Sequence, residues 1–253
     1  MHRFFVDGPL VAGQDVALSA EVAHQVGRVL RLRPGDRILL LDGSGWEYPV
    51  ELIDLAARQG HGRVEGGRPT ETEPRVAVTL YAAPLKGDHY AYTLQKATEI
   101  GAAAFVPTVT ARTVVGEVGA TKVERWRRIA REAAEQSGRG RLPTVGAPVP
   151  FAEACRLAAA AGPALIPWEE AREPSLSATI AAWRAERGQL AQLGLLIGPE
   201  GGFTAEEIAL AQRCGIVPVT LGRRILRAET AAAVATTLAL AALGDLDTRD
   251  DAP

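Results

Sequence analysis

The alternation of apolar and polar positions changes character near residue 70. Before that point, short apolar runs sit between turn residues. Arg37 to Asp42 (RILLLD) follows Pro34-Gly35-Asp36 and precedes Gly43-Ser44-Gly45. Tyr48 to Leu55 and the glycine-punctuated stretch Gly60 to Gly67 come next. Short strands at close spacing with Gly/Pro turns predict a small barrel, with one helical insert over Ser19 to Val29. The stretch from Arg68 to Arg75, with two prolines and alternating charges, reads as a linker.

Beyond it, strands and helices alternate. Val76 to Ala83 predicts a buried strand, Asp88 to Ile100 a helix stopped by Gly101, and Ala102 to Pro107 a second strand. Thr121 to Ser137 has the clearest helical spacing. Val123, Trp126, Ile129, Ala130, Ala133 and Ala134 share one face, Thr121 and Glu124 have the spacing of a capping box, and Gly138 ends it. Ala164 to Pro167, Leu193 to Ile197 and Ile216 to Leu221 predict three more strands. A helix opens at Thr204, with a capping box to Glu207, and a last one runs from Thr230 to Leu243. This alternation predicts a parallel sheet with helices packed on it. The expected division is 1–68 barrel, 69–75 linker, 76–244 α/β domain and 245–253 an acidic, disordered tail.

A chain of 253 residues has room for one large domain or two small ones. A hydrophobic share of 47% and a charged share of 23% exclude a disordered chain. No apolar run reaches the roughly 18 residues of a membrane span. The start, MHRFFVDG, lacks a signal-peptide core. With only Cys155 and Cys214, neither a disulfide framework nor a cysteine zinc site is expected. The expectation is a soluble cytoplasmic protein with no membrane and no metal. The net charge of −2 hides an uneven distribution: Arg112 to Arg141 holds eight basic and four acidic residues, or +4. That stretch is either a footprint for a phosphate-rich partner or a solvated helix face with internal ion pairs.

In parallel α/β sheets, ligands bind beyond the carboxyl ends of strands. Three such ends carry unusual loops: Pro167-Trp168-Glu169, Gly198-Pro-Glu-Gly-Gly202, and Leu221-Gly-Arg-Arg-Ile-Leu-Arg-Ala-Glu-Thr230. Glycines let a ligand approach the backbone, and helix starts at Thr204 and Thr230 add positive dipole ends. Together they favour a nucleotide-like ligand. The first strand of the α/β part is followed by Pro84-Leu85-Lys86-Gly87-Asp88, which is not a dinucleotide fingerprint. The chain also lacks a phosphate-cradling P-loop and a G-x-S-x-G elbow. His2, His24, His61 and His89 show no metal spacing.

Leu196-Ile-Gly-Pro-Glu-Gly-Gly-Phe203, followed by Leu221-Gly-Arg-Arg-Ile-Leu-Arg-Ala-Glu-Thr-Ala231, resembles the RsmE-type 16S ribosomal RNA uridine-N3 methyltransferases of the SPOUT (trefoil-knot) class. Further blocks extend the resemblance along nearly the whole chain: Met1 to Phe5, His24 to Asp36, Lys86 to Asp88, Leu94 to Gly101, and Glu132 to Arg139 with Pro143. The family often has Arg where His89 stands. The resemblance implies a PUA-like RNA-binding barrel followed by a knotted α/β domain that binds S-adenosylmethionine (SAM).

By that resemblance the loops after Ile197 and Leu221 form the knot and the cofactor pocket. Gly198 and Gly202 form one wall and Leu221, Gly222, Ile225, Leu226 and Arg227 the other, with Leu196, Trp168 and Thr230 completing it. Glu229, the only acid in the late motif, is the candidate base or orienting group. Arg227 is the candidate for holding the uracil or its phosphate. A loop-fixing salt bridge is the alternative for both. RNA contacts are expected from Arg3, Arg31, Arg33, Lys86, Arg112, Arg139 and Arg141, which position a backbone without reading sequence, and from Gln136, which can meet a base or sugar edge.

A homodimer is expected from the helix Thr230 to Leu243, apolar nearly all round. The alternatives are an RNA-binding module with an inactive methyltransferase domain, and a SPOUT enzyme acting on another RNA.

Overall fold

The computed structural model describes residues 1–56 and 59–246. They group into two compact units: residues 1–73 with 134–142, and residues 74–133 with 143 onward.

The first unit is built on a six-stranded sheet. β1 (Arg3–Phe5) pairs in parallel with β3 (Arg37–Leu41). β4 (Trp46–Ala56), β5 (Gln59–Val64) and β2 (Asp15–Leu18) continue it in antiparallel fashion, and β6 (Arg68–Pro69) pairs with β4. Alternation along β5 buries Gly60, Gly62 and Val64 and exposes the residues between them. The expected helical insert is present as α1 (Ala20–His24). Ser19 caps it by accepting from the Val22 amide, and one wide turn over Gln25–Val29 closes with Leu30 donating to the Gln25 carbonyl. The core joins Phe4, Val26, Ile38, Leu40, Val50 and Leu52.

Two expectations about boundaries change. Most of the proline-bearing stretch after residue 68 is a fixed strap of the first unit. Arg68–Pro69 pairs with β4, Thr70 donates from its amide and hydroxyl to the Gly45 carbonyl, and the Thr72 hydroxyl donates to the Gly138 carbonyl. The segment 134–142, expected within the α/β domain, clusters with the first unit. Glu135 accepts from the Phe5 amide at 2.9 Å, and Ala134 packs with Phe5 and Leu41.

The second unit is the parallel α/β layer. Its strands are β7 (Ala77–Ala82), β8 (Ala104–Val109), β9 (Thr144–Val145), β10 (Val149–Pro150), β11 (Ala164–Pro167), β12 (Gln192–Ile197) and β13 (Val217–Val219). Their spatial order is β10-β8-β7-β12-β11-β13, all parallel, with β9 also on β8. β12 lies between β7 and β11 and is buried along nearly its whole length, so its run reads as apolar without alternation.

The helices are α2 (His89–Ile100), α3 (Ala120–Ser137), α4 (Phe151–Ala161), α5 (Leu176–Arg187), α6 (Ala205–Arg213) and α7 (Ala228–Ala242). α6 carries the expected capping box between Thr204 and Glu207. α3 starts at Ala120, with the Lys122 and Val123 amides donating to the Gly119 carbonyl. Thr121 therefore sits inside the first turn, and Glu124 pairs with Arg127 instead of closing a box. α7 begins two residues before Thr230.

α7 packs against α2, α5, β7 and β12 of its own unit. These neighbours cover Ala232, Ala235, Thr236, Ala239 and Leu240 and account for much of the apolar character that suggested a second subunit. Asp245 accepts from the Arg75 amide at 2.8 Å; residues 247–253, the rest of the expected tail, lie outside the described residues.

Candidate functional site

Because the strands are parallel, the loops after β7, β11, β12 and β13 leave the same edge of the sheet. Together they enclose a cavity of about 970 Å³, near the top of the roughly 300–1,000 Å³ range of small-molecule sites. The β11 and β13 loops are tied together: the Trp168 amide donates to the Val219 carbonyl, the Thr220 amide to the Pro174 carbonyl, and the Leu176 amide to the Thr220 carbonyl.

The loop after β12 is held from several sides. Gly202 donates to the Pro199 carbonyl at 2.9 Å, closing a tight turn. The Glu200 carboxylate accepts from the Lys86 amide at 2.9 Å, and the Arg112 guanidinium donates to the Gly201 carbonyl at 2.7 Å. Glu207, besides capping α6, accepts from the Ala111 amide at 2.8 Å. Phe203 anchors the loop in the core against Phe151, with ring centroids 5.4 Å apart. Gly202 has φ +67, and a Cβ there would stand 2.3 Å from the Glu169 carboxylate, so the β11 and β12 loops meet closely only because no side chain intervenes.

The loop after β13 turns at Gly222, φ +113, where a Cβ would meet no protein atom within 4 Å. The Gly222 amide donates to the Thr220 hydroxyl at 3.1 Å. Ile225, 87% exposed, presents an apolar side chain at the cavity wall, an arrangement that favours an occupant with an apolar face. Arg227 caps α7 with extended backbone, its carbonyl accepting from the Ala231 amide at 2.7 Å.

Of the residues expected to hold a cofactor, Trp168, Gly198, Gly202, Leu221, Gly222, Ile225, Leu226 and Arg227 line this cavity. Leu196 does not: it is fully buried in the core with Ile166 and Phe203, because β12 points it into the helix layer. Thr230 is exposed in the first turn of α7, outside the lining. Glu229 lines the cavity with its side chain only 12% exposed, and its Oε1 stands 3.1 Å from His89 Nδ1. His89, half exposed at 49%, stood out in the sequence only as the position where the family often has Arg. What brings it to the site is the packing of α2 on α7.

The basic residues divide. Arg31 and Arg33 are exposed, Arg31 with φ 56, and the Asp36 carboxylate accepts from the Arg33 amide. Gln136 and Arg141 are exposed. Arg3 is partly buried and contacts Glu47 at 3.5 Å. Lys86 lines the cavity and is exposed, and Arg112 is exposed while bracing Gly201. Arg139 differs from the expectation. Its side chain is 4% exposed and meets the Glu73 carboxylate through two nitrogens, Nη2 at 2.8 Å and Nε at 3.3 Å. A buried guanidinium neutralised in this way is structural and out of reach of a phosphate. Arg125 and Arg127, in the same basic stretch, pair with Asp88 and Glu124.

Both cysteines are free. Burial, with Cys214 and Glu207 nearby, pushes the Cys155 thiol up to about 12, so it is no nucleophile at neutral pH. No helix among the described residues is long and apolar enough to cross a membrane.

A family model described as an RNA methyltransferase domain matches residues 72–240, and one described as an RNA methyltransferase PUA domain matches residues 18–65. The α/β unit with its loop-built cavity is thus that of an RNA methyltransferase. A Synechocystis relative named ribosomal RNA small subunit methyltransferase E is 39% identical over 92% of this chain and 75% of its own length. A Bacillus subtilis relative of the same name is 30% identical over 91% of this chain and 93% of its own. The solved Neisseria gonorrhoeae ribosomal RNA small subunit methyltransferase E, bound to S-adenosyl methionine, is 30% identical with a TM-score of 0.79, covering 93% of this chain and 95% of that one. A Legionella pneumophila chain solved with the bound cofactor SAM is 32% identical with a TM-score of 0.85, covering 95% of this chain and 97% of its own. The chain belongs to the ribosomal RNA small subunit methyltransferase E family of RNA methyltransferases.

Proposed function

We propose that this protein transfers a methyl group from SAM to N3 of a specific uridine in the 16S RNA of the small ribosomal subunit. The observation that carries the reading is the cavity at the carboxyl ends of β7, β11, β12 and β13, in a chain similar over nearly its full length to a SAM-bound relative. The lining fits the cofactor. Glycines 198, 202 and 222 leave main-chain groups approachable, and Leu221, Ile225, Leu226 and Trp168 offer apolar surface for an adenine ring. Bound there, SAM supplies an electrophilic methyl group on a sulfonium.

The chain's own residues must then align the nucleophile and deal with its proton. Alignment supplies a large share of the barrier reduction. Glu229, nearly buried at the cavity wall, serves as base or orienting group, and Arg227 holds the uracil or its phosphate. The knot belongs to this reading. Its support is that β12 threads between β7 and β11 while the chain returns from edge strand β13 to pack α7 on β7 and β12.

The PUA-like unit binds RNA in this proposal, through Arg3, Arg31, Arg33, Gln136 and Arg141, with Lys86 and Arg112 of the second unit as further contacts. Arg141→Ala should weaken RNA binding and lower the slope of log affinity against log salt by about one counterion, leaving SAM affinity unchanged. An unchanged slope removes Arg141 from the RNA contacts.

The reading includes a homodimer, supported by Ala231, Val234 and Leu238 remaining partly exposed on α7, and a cytoplasmic site of action, where ribosomal substrates are found. Sedimentation at micromolar concentration should give twice 26.7 kDa; a fully active monomer rejects the dimer. The function itself is tested by calorimetric titration with SAM and by transfer of labelled methyl groups to isolated small subunits. Absence of both SAM binding and methyl incorporation rejects the proposal.

A further inference from the structure

We propose that His89 is the base that removes the N3 proton of the uridine, with Glu229 as the residue that positions it; this rests on the methyl transfer proposed above. His89 is the first residue of α2, and Glu229 lies in the first turn of α7. They meet at 3.1 Å, both on the cavity wall. Glu229 is the only ionisable side chain on α7, the helix packed against α2. The other charged side chains on the cavity wall come from loops: Lys86, Glu200 (whose carboxylate accepts from the Lys86 amide), the acids Glu169 and Glu170, and the arginines Arg172, Arg223, Arg224 and Arg227; Asp88, next to His89 in the chain, pairs with Arg125 of α3.

The two partners suit different tasks. Glu229 is 12% exposed and has an imidazole against its carboxylate, whereas His89 is 49% exposed and open to an incoming base. A carboxylate 3.1 Å from Nδ1 favours the tautomer with its proton on that nitrogen, which leaves the lone pair on Nε2. The imide nitrogen of uridine is a poor nucleophile until its proton leaves. In the proposed step Nε2 takes the N3 proton and the N3 electron pair forms the bond to the methyl carbon. The carbon–sulfur bond breaks with its electrons going to sulfur, and the neutral thioether departs. The positive charge lost by the sulfonium reappears on the His89 imidazolium, beside the Glu229 carboxylate. A loop-fixing ion pair alone, which carries charge on His89 only when the imidazole is protonated, would be kept at low pH and so would give no acid limb.

The test uses the full chain with small subunits lacking the modification. His89→Gln should lower kcat by about 10²–10³-fold, within the usual range for a general base, with SAM affinity by calorimetry unchanged. The wild type should show an acid limb in kcat against pH that is missing from the variant. His89→Ala should recover part of its rate on addition of imidazole, and Glu229→Gln should lower kcat less than His89→Gln does. A His89→Gln enzyme with at least half the wild-type kcat overturns the proposal. So does one that loses rate but keeps the acid limb, with no imidazole rescue of His89→Ala. If the wild type itself makes no N3-methyluridine, the fault lies with the methyl-transfer reading and not with His89.

Discussion

Replacing Gly222 with leucine should weaken SAM binding by about a hundredfold or more, equivalent to about 2.7 kcal/mol or above, while the protein stays folded. Gly222 lines the cavity, and a Cβ there meets no protein atom within 4 Å, so the new side chain takes up space on the cavity side. The backbone at φ +113 disfavours any L side chain, at about 1–3 kcal/mol. That is tolerable against a typical stability of about 5–15 kcal/mol. Gly198 is a less clean site, since a Cβ there would press on the buried Phe203 ring at 3.1 Å and disturb the core as well as the pocket. Calorimetry with SAM and circular dichroism together check the prediction. Wild-type affinity with an unchanged spectrum would remove the β13 loop from the cofactor site.

Arg139→Ala should destabilise the first unit by about 3–5 kcal/mol, the usual cost of removing one member of a buried ion pair. Glu73 accepts from two nitrogens of Arg139 and from the backbone amides of Gly140 and Arg141, so one carboxylate fastens residues 139–141 to the strap that follows β6. Without the guanidinium, that carboxylate, 16% exposed, keeps its charge and loses its main counter-charge. Denaturant unfolding should show an earlier transition. A midpoint equal to the wild type's would mean that the pair contributes nothing to stability. The double variant with Arg141→Ala should lose no more salt dependence of RNA binding than Arg141→Ala alone.

Residue pattern reaches some parts of this architecture and not others. Five of the seven strands of the α/β unit were legible because each is a short apolar run with Gly or Pro at or near its end; β9 and β10, two residues each, were not. The α6 capping box was legible because Thr204 and Glu207 lie three apart at the head of a helical pattern. α4 and α5 escaped: α4 starts after Pro150 with no side-chain cap and is largely alanine, and α5 announces itself only through Ser175, whose hydroxyl accepts from the Ala178 amide. The cavity walls were legible because glycine clusters at strand ends mark themselves, although Leu196, adjacent to the motif, faces the core.

Long-range pairing was the part out of reach. Glu73 and Arg139 are 66 residues apart, and His89 and Glu229 are 140 apart, so only the fold brings each pair together. A count of basic residues between Arg112 and Arg141 cannot separate an arginine buried on a carboxylate from one open to a phosphate. That distinction moves Arg139 from the RNA face to the interior while Arg141, two residues on, stays exposed.

The central claim is best tested by incubating the protein with methyl-labelled SAM and small ribosomal subunits lacking the modification, digesting the RNA, and identifying the labelled nucleoside. The account predicts one methyl group per subunit, recovered as N3-methyluridine from the 16S RNA. Label on a ribose hydroxyl, on another base, on transfer RNA, or on no nucleoside at all would contradict it.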